Sequence, residues 1–154
     1  MPAESKLPAV GAELITISIG EHLYAIDVMQ VREIRGWTAS TPLPHAPAHV
    51  LGMINLRGTI LPVIDLGSLL GVGATQVSAS AVVMVAQIGT EQVGLLVDAV
   101  CDIVTVSENM VQEAPNVGGG RVRDFVSGVM TTDQGIVTLL NVEHVMPEGL
   151  VAAA

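Results

Sequence analysis

The sequence predicts an all-β protein made of two small, pseudo-equivalent barrels or sheets, with a few short helices. Three observations support this fold class: short apolar segments with the two-residue period of strands, glycine turns between them, and an internal repeat. The chain has 154 residues, of which 50% are hydrophobic and 14% are charged. A chain of this length and composition can bury a core, and it is too apolar for an intrinsically disordered protein.

The first predicted hairpin lies near the amino terminus. Isoleucine alternates with threonine and serine over Ile15–Ile19, which is the period of a half-buried strand. Gly20 begins a turn, and Leu23–Val28 returns as the second strand.

Further strands follow glycine turns along the chain. The predicted segments are Thr59–Ile64, Val82–Val85, Val93–Val97 and Ile136–Leu140. Pro62 has no N–H group to donate to a ladder, so we expect its strand to be at a sheet edge or bulged at that residue.

Helical signals are weak and short. The candidates are Leu66–Leu70, Ser107–Glu113, which begins with a possible N-cap and ends before a proline, and Asn141–Met146, which Pro147 stops. Asp65 is expected to cap the first of them.

An internal repeat divides the chain into two similar halves. Ala25–Ile34 matches Gly94–Ile103, 69 positions later. Thr59–Leu66 matches Gly135–Val142, 76 positions later, and Gly52 and Gly128 keep this second spacing. A repeat of about 70 residues is too long for a solenoid unit, so two pseudo-equivalent barrels fit better. The pattern leaves open whether each half forms its own barrel or exchanges strands with the other.

Charge and composition exclude several classes of function. Six Lys and Arg residues face fifteen Asp and Glu residues, giving a formal net charge of -9, so neither nucleic acid nor an anionic membrane surface is an expected partner. The amino terminus lacks the features of a signal peptide, and no apolar run approaches the ~18 residues of a membrane span. We expect a cytoplasmic protein without direct membrane insertion.

The sequence offers few residues for catalysis, so we expect no enzyme, no cofactor and no metal site. The four histidines, at positions 22, 45, 49 and 144, lack the spacing of a zinc motif. Cys101 lies in an apolar pattern and is expected to be a buried, structural thiol. Asp27, Asp65 and Asp98 show no pattern of paired catalytic carboxylates, and the three glycines from Gly118 lack a phosphate-binding lysine.

Two segments are not explained by the fold alone. Val31–Trp37 and Gly52–Gly58 together contain three of the five arginines and the only tryptophan. Arginine and tryptophan are enriched at protein contact hot spots, although an arginine at a turn is usually just solvated.

These segments resemble the CheW family of chemotaxis coupling proteins, and the resemblance extends from Leu14 to about Pro147. The motifs that carry it are Tyr24-Ala25-Ile26-Asp27, Val31-x-Glu33-Ile34-Arg35-Gly36, Gly52-x-x-Asn55-Leu56-Arg57-Gly58-x-x-x-Pro62-x-x-Asp65-Leu66 and Gly94-Leu95-Leu96-Val97-Asp98. The Asn-Leu-Arg-Gly block before Pro-x-x-Asp-Leu is the most specific of them.

The resemblance implies a fold of two five-stranded SH3-like barrels and a non-catalytic scaffold. Such a scaffold joins the cytoplasmic hairpin tip of a chemoreceptor to the regulatory domain of the histidine kinase CheA, and other CheW-like molecules are further possible partners. The receptor or array contacts carried over by motif are Val31, Glu33, Gly52 and Arg57. Possible additional contacts are Ile34, Arg35, Trp37, Asn55 and Leu56.

The resemblance also implies a domain over residues 14–147, with pseudo-repeats at about 14–76 and 77–147 and tails at 1–13 and 148–154. Residues 1–12 and 149–154 are expected to be dispensable. The chain would be recruited from the cytoplasm to membrane-associated receptor arrays. An adaptor of the same fold in pilus-driven motility, and a small-ligand-binding barrel or enzyme, are the alternatives.

Overall fold

Strands dominate the computed structural model, which describes residues 7–37, 40–75, 78–113 and 125–144. The predicted all-β class is confirmed. The strands are β1 (Glu13–Ile19), β2 (His22–Asp27), β3 (Val31–Gly36), β4 (Val50–Leu56), β5 (Thr59–Asp65), β6 (Val82–Ile88), β7 (Glu91–Val97), β8 (Ala99–Thr105), β9 (Val111–Gln112), β10 (Val126–Thr132) and β11 (Gly135–Leu140). In these described parts, no helix is long and apolar enough to cross a membrane.

Helical structure is confined to single turns. Helix α1 (Leu66–Leu69) has Asp65 as its N-cap, as predicted, because the Asp65 side chain accepts from the Ser68 N–H. One 3-10 turn covers Val28–Gln30, and another covers Val142–His144 within the third predicted helix. The prediction of a helix over Ser107–Glu113 is wrong, because Val111–Gln112 pairs with β10 as a strand.

The strands form two sheets. One has five strands in the order β3-β6-β7-β5-β4, and the other has six in the order β8-β1-β2-β11-β10-β9. The sixth strand, β9, has only two residues, so each sheet consists mainly of five strands, as expected. The expectation that the strand of Pro62 lies at an edge or is bulged at that residue is wrong, because β5 lies between β7 and β4, and Pro62 pairs with Met53 without a shift in register at that residue. Pro62 is tolerated because the parallel ladder with β7 begins one residue later, at Val63.

Each sheet combines strands from both halves of the repeat. Strands β1, β2, β3, β4 and β5 correspond, in that order, to β6, β7, β8, β10 and β11. When each strand is replaced by its counterpart, the order β8-β1-β2-β11-β10 of one sheet becomes the order β3-β6-β7-β5-β4 of the other. Registers agree as well: Val63 lies opposite Gly94, and their counterparts Leu139 and Ala25 lie opposite each other. The two halves are therefore interwoven.

Three hydrophobic clusters fill the interior. One cluster contains side chains of β4–β7 together with Ala81. A second contains side chains of β1, β2, β10 and β11 together with Val106. The largest contains residues of both sheets, among them Ile17, Ile26 and Leu95, and so joins them. Since neighbouring residues on one strand enter different clusters, the central strands are buried on both faces and read as nearly continuous apolar runs.

The amino-terminal residues just before β1 contact the six-stranded sheet. Gly11 donates its N–H to the carbonyl of Val106, and Val106 donates to the carbonyl of Ala12. Leu7 packs against the cluster of this sheet. Residues 1–6 and 145–154, which include the rest of the predicted tails, lie outside the described residues, as do the three glycines from Gly118.

Candidate partner-binding surface

Strand β3 lies at one edge of the five-stranded sheet and alternates in exposure along its length. Val31, Glu33 and Arg35 are half-buried, whereas Arg32 and Ile34 are exposed. This is the pattern that a strand with one covered face produces. The pairing with β6 shifts between Val31 and Glu33, so Arg32 is the extra residue of a bulge.

The tip of the β4–β5 hairpin presents Arg57. Arg57 and Gly58 form a two-residue turn between the paired residues Leu56 and Thr59, with φ values of 52° and 91°. Positive φ at both positions is typical of the type I′ turn that matches the twist of a hairpin. Asn55 supports the turn, because its Oδ1 accepts from the Gly58 N–H at 2.9 Å. Arg57 therefore projects from a well-fixed turn, and its side chain is 70% exposed.

Glu33 holds two arginines from different elements. Its Oε1 accepts from Nη2 of Arg57, and its Oε2 accepts from Nη1 of Arg35 at 3.1 Å. These hydrogen bonds, to Arg57 first and then to Arg35, lower the pKa of Glu33, and the carboxylate raises the pKa of Arg57. The contact also joins the two ends of the five-stranded sheet, since β3 and β4 are its edge strands.

The surface carries a local excess of positive charge on an acidic protein. Arg32, Arg35 and Arg57 are the only Lys or Arg residues in the described ranges of the chain, and a single carboxylate, Glu33, is paired with two of them. Arg35 also has a buried Nε without a hydrogen-bond partner among the described residues. A partner that supplies carboxylates or other hydrogen-bond acceptors would satisfy the exposed nitrogen atoms of these guanidinium groups.

Exposed apolar side chains lie on the same two elements as the arginines or directly after them. Ile34 and Trp37 are 45% and 37% exposed, and Ile60, which pairs with Asn55 across the hairpin, is 63% exposed. We name the set Arg32, Glu33, Ile34, Arg35, Trp37, Arg57 and Ile60 the arginine-rich surface. Arginine beside exposed aromatic and aliphatic side chains is the composition of a protein contact patch.

Other predicted contact residues have internal positions. Gly52 is buried, and a Cβ atom there would come within 2.6 Å of the carbonyl carbon of Thr41. Leu56 is buried in the cluster of β4–β7, and Val31 packs against the shared core. The structure thus places Glu33, Ile34, Arg35, Trp37, Asn55 and Arg57 on strand β3, just after it, or in the β4–β5 hairpin, whereas Gly52 and Leu56 are buried and Val31 packs against the core.

Sequence reasoning missed two members of the surface. Arg32 was inside a segment noted for its arginines but was not selected, and Ile60 was assigned only to a strand. The signal for Ile60 was present: it is the second residue of a hairpin strand, close to a turn, where apolar residues are less often covered.

The acidic residues considered for catalysis have structural partners. Asp27 caps the 3-10 turn by accepting from the Met29 N–H at 2.9 Å, and Asp98 accepts from the Gly20 N–H at 2.7 Å. Asp65 accepts from Ser68 and from both the N–H and the hydroxyl of Thr75. Within the described ranges, no three His, Cys, Asp or Glu side chains are grouped to hold a metal ion.

The expectation that Cys101 is buried is wrong, because its side chain is exposed. The pairing of β1 with β8 passes from Thr16–Asp102 to Ile17–Val100, so Cys101 is the unpaired residue of a bulge on an edge strand. Its counterpart in the first half is Arg32, which is also a bulge residue.

Comparisons with known proteins agree on one family. The family model described as CheW-like domain matches residues 13–149. The "Chemotaxis protein CheW" of Rhizobium meliloti (strain 1021) is 44% identical over 137 residues, covering 89% of this chain and 88% of that protein. The "Probable chemotaxis protein CheW" of Rhizobium etli is 43% identical over 136 residues, covering 88% of each chain. Among solved structures, the scaffolding protein TtCheW from Thermoanaerobacter tengcongensis has a TM-score of 0.77 at 31% identity, covering 85% of this chain and 89% of that one.

Proposed function

This chain belongs to the CheW-like domain family, and from that membership we propose that it couples chemoreceptors to the histidine kinase CheA as a non-catalytic scaffold of chemotaxis signalling. The observation that supports the mode of coupling is the arginine-rich surface, where one carboxylate orients two guanidinium groups beside exposed apolar side chains. The signal would pass as a change in the arrangement of bound partners, with no bond made or broken by this chain.

We assign the arginine-rich surface to the receptor. The hairpin tip of a receptor is helical, and a helical partner needs exposed apolar anchors such as Ile34, Trp37 and Ile60 together with charged residues that fix its orientation. Gly52 and Leu56 support this surface from below and do not touch the partner. Binding the kinase elsewhere on the domain would place both partners on one scaffold at the receptor array, and the chain itself would remain cytoplasmic.

The direct test is reconstitution of kinase control. CheA autophosphorylation is measured with membranes that contain the receptor, with and without this chain. We expect strong activation only when all three components are present, and no ATP hydrolysis or other turnover by the purified chain alone. Turnover that follows the protein through further purification would overturn the scaffold assignment.

Arg57→Ala tests the surface. Arg57 is exposed at a turn, so we expect thermal melting close to that of the unaltered chain, together with receptor binding weakened about tenfold or more, as for a hot-spot arginine. Thr59→Ala, at an exposed position of the same hairpin, is the matched control and is expected to bind normally.

A charge exchange separates contact from internal pairing. Glu33→Arg combined with Arg57→Glu keeps an opposite-charge pair but moves the positive charge. Both this exchange and Arg57→Ala are made in an Arg35→Gln background, because Arg35 also pairs with Glu33 and would otherwise lie beside the new arginine. If Arg57 serves only to pair with Glu33, the exchange restores what Arg57→Ala removes. If Arg57 contacts the receptor, binding stays weak, and this is the result that we expect. Full kinase activation by Arg57→Ala would remove Arg57 from the site.

A further inference from the structure

The interwoven repeat gives the molecule a second surface in the position that corresponds to the arginine-rich surface. Ile103 is the counterpart of Ile34, and Ile136 is the counterpart of Ile60. Both are exposed, at 54% and 71%. The bulge at Arg32 recurs at Cys101, and the close approach of Thr41 to Gly52 recurs as the close approach of Gln112 to Gly128. The two surfaces therefore share their backbone framework and two exposed isoleucines, whereas Trp37 corresponds to the buried Val106.

Their charges are different. Each arginine of the first surface has a counterpart without positive charge: Cys101 for Arg32, Val104 for Arg35 and Asp133 for Arg57. Glu33 corresponds to Asp102, whose Oδ1 accepts from the N–H of Ile103. Where the first surface has an ion pair between the hairpin turn and the edge strand, the second has two carboxylates.

The hairpin turns also differ in detail. Arg57 and Gly58 both have positive φ, whereas in the second turn the positive φ is at Gly135. What separates the two surfaces is the charge that each displays near its isoleucines.

We propose that Asp133, with the uncharged Cys101 and Val104, determines specificity by keeping the receptor off the second surface, so that each molecule offers one receptor site. This inference rests on the proposed function, since it assumes that the receptor binds the arginine-rich surface. A partner that satisfies the guanidinium groups of the first surface brings carboxylates or carbonyl oxygens with it. At the second surface these groups meet Asp102 and Asp133, and like charges brought together at an interface oppose binding.

Without this charge difference, the similarity of the two surfaces would make receptor binding to the scaffold ambiguous. The same pair of exposed isoleucines would offer one partner two docking positions on each molecule. Specificity between two similar surfaces is a difference of affinities, and a repulsive charge on the wrong surface produces it without altering the correct one. The second surface is then left for a partner of different charge.

The test moves the receptor site from one surface to the other. Binding of a soluble cytoplasmic fragment of a chemoreceptor from the same organism is measured by isothermal titration calorimetry with the full chain. Arg57→Ala is expected to lose binding. Arg57→Ala combined with Cys101→Arg and Asp133→Arg is expected to regain it, to within about tenfold of the unaltered chain. Cys101→Arg and Asp133→Arg alone are expected to raise the stoichiometry from one fragment to two.

A matched control places the same charge elsewhere. Arg57→Ala with Thr90→Arg and Glu21→Arg adds an identical change in net charge at exposed residues of two other hairpin turns, and it is expected not to regain binding. Recovery in both triple variants would show a general charge effect and overturn the inference. No recovery in either, with melting temperatures unchanged, would overturn it while leaving the proposed function intact. Normal binding by Arg57→Ala itself would overturn both the inference and the site on which it rests.

Discussion

Gly52 is a residue at which the backbone of another segment replaces a side chain. Thr41 and Met53 exchange backbone hydrogen bonds of 2.9 and 2.8 Å across the segment that covers Gly52. A side chain at Gly52 would occupy the space of the Thr41 carbonyl group and would also need an unfavourable φ of 150°. Position 52 therefore controls how residues 40 and 41 lie against β4, the strand that leads to the turn that presents Arg57.

We predict that Gly52→Ala destabilises the fold by about 1–3 kcal/mol, the usual cost of forcing extra volume into a packed site. Chemical denaturation measures this change. Gly36→Ala is the control, because Gly36 has no positive φ and a Cβ atom there meets nothing within 4 Å. Equal stability of the two variants would contradict the assigned role, and normal stability with lost receptor binding in Gly52→Ala would instead make position 52 a direct contact.

Glu33 should remain ionised under more acidic conditions than an ordinary glutamate. Its pKa is lowered chiefly by the hydrogen bond from Arg57, so the ion pair contributes stability above the ordinary glutamate pKa and loses it as the pH falls through the lowered value. Titration of the Glu33 carboxyl carbon by NMR should show a midpoint below the ordinary glutamate value. Arg57→Ala should move the midpoint upward, and an unchanged midpoint would mean that the pair does not persist in solution.

At the scale of elements, the strands that sequence patterns missed are informative. The predicted strand segments coincide with parts of β1, β2, β5, β6, β7 and β11, where apolar alternation or a buried run is strong, although Val28 lies beyond the end of β2. Strands β3, β4, β8, β9 and β10 were not predicted. Of these, β3, β4 and β8 are interrupted by a bulge each, which breaks the two-residue period, and β9 has only two residues. The segment from Ser107 forms a turn instead of a helix: Asn109 has a φ of 64°, and the pairing of Val111–Gln112 with β10 outweighs a weak local helical preference.

The amino-terminal segment provides a prediction at this scale. The sequence led us to expect that residues 1–12 are dispensable, but Leu7, Gly11 and Ala12 contact the six-stranded sheet. We now expect deletion of residues 1–12 to lower the melting temperature by several degrees, since it removes two backbone hydrogen bonds and an apolar contact. Deletion of residues 1–6 is the matched control, with a much smaller expected effect. Equal melting of the two truncated chains would restore the original expectation.

At the scale of the whole molecule, the repeat could be found in the sequence, but the exchange of strands could not. Matching blocks such as Ala25–Ile34 and Gly94–Ile103 reveal that two units are similar, because equivalent backbone positions need similar residues. They contain no information on which unit supplies the partner strand, since either choice buries the same apolar faces. The candidate surface could likewise be found only in part. Arg57 and Glu33 were recognisable as motif residues. Their contact with each other could not be predicted, because it depends on how the sheet brings its two edge strands together.

The exchange leads to a prediction about folding. Each sheet takes strands from both halves, including the parallel pairs β2–β11 and β5–β7, so neither half can complete a sheet alone. We expect fragments 1–76 and 77–154, purified separately, to lack dispersed NMR spectra as monomers, because each would expose the edges and apolar faces that the other covers. Mixed or co-expressed, they should form a one-to-one complex with the spectrum and the receptor binding of the intact chain.

The control for the effect of a break in the chain is a cut within the β6–β7 turn, between Gly89 and Thr90. This cut separates two strands that are paired along their whole length. A monomeric half that folds by itself would contradict the interwoven arrangement, since its strands would then have to pair with one another.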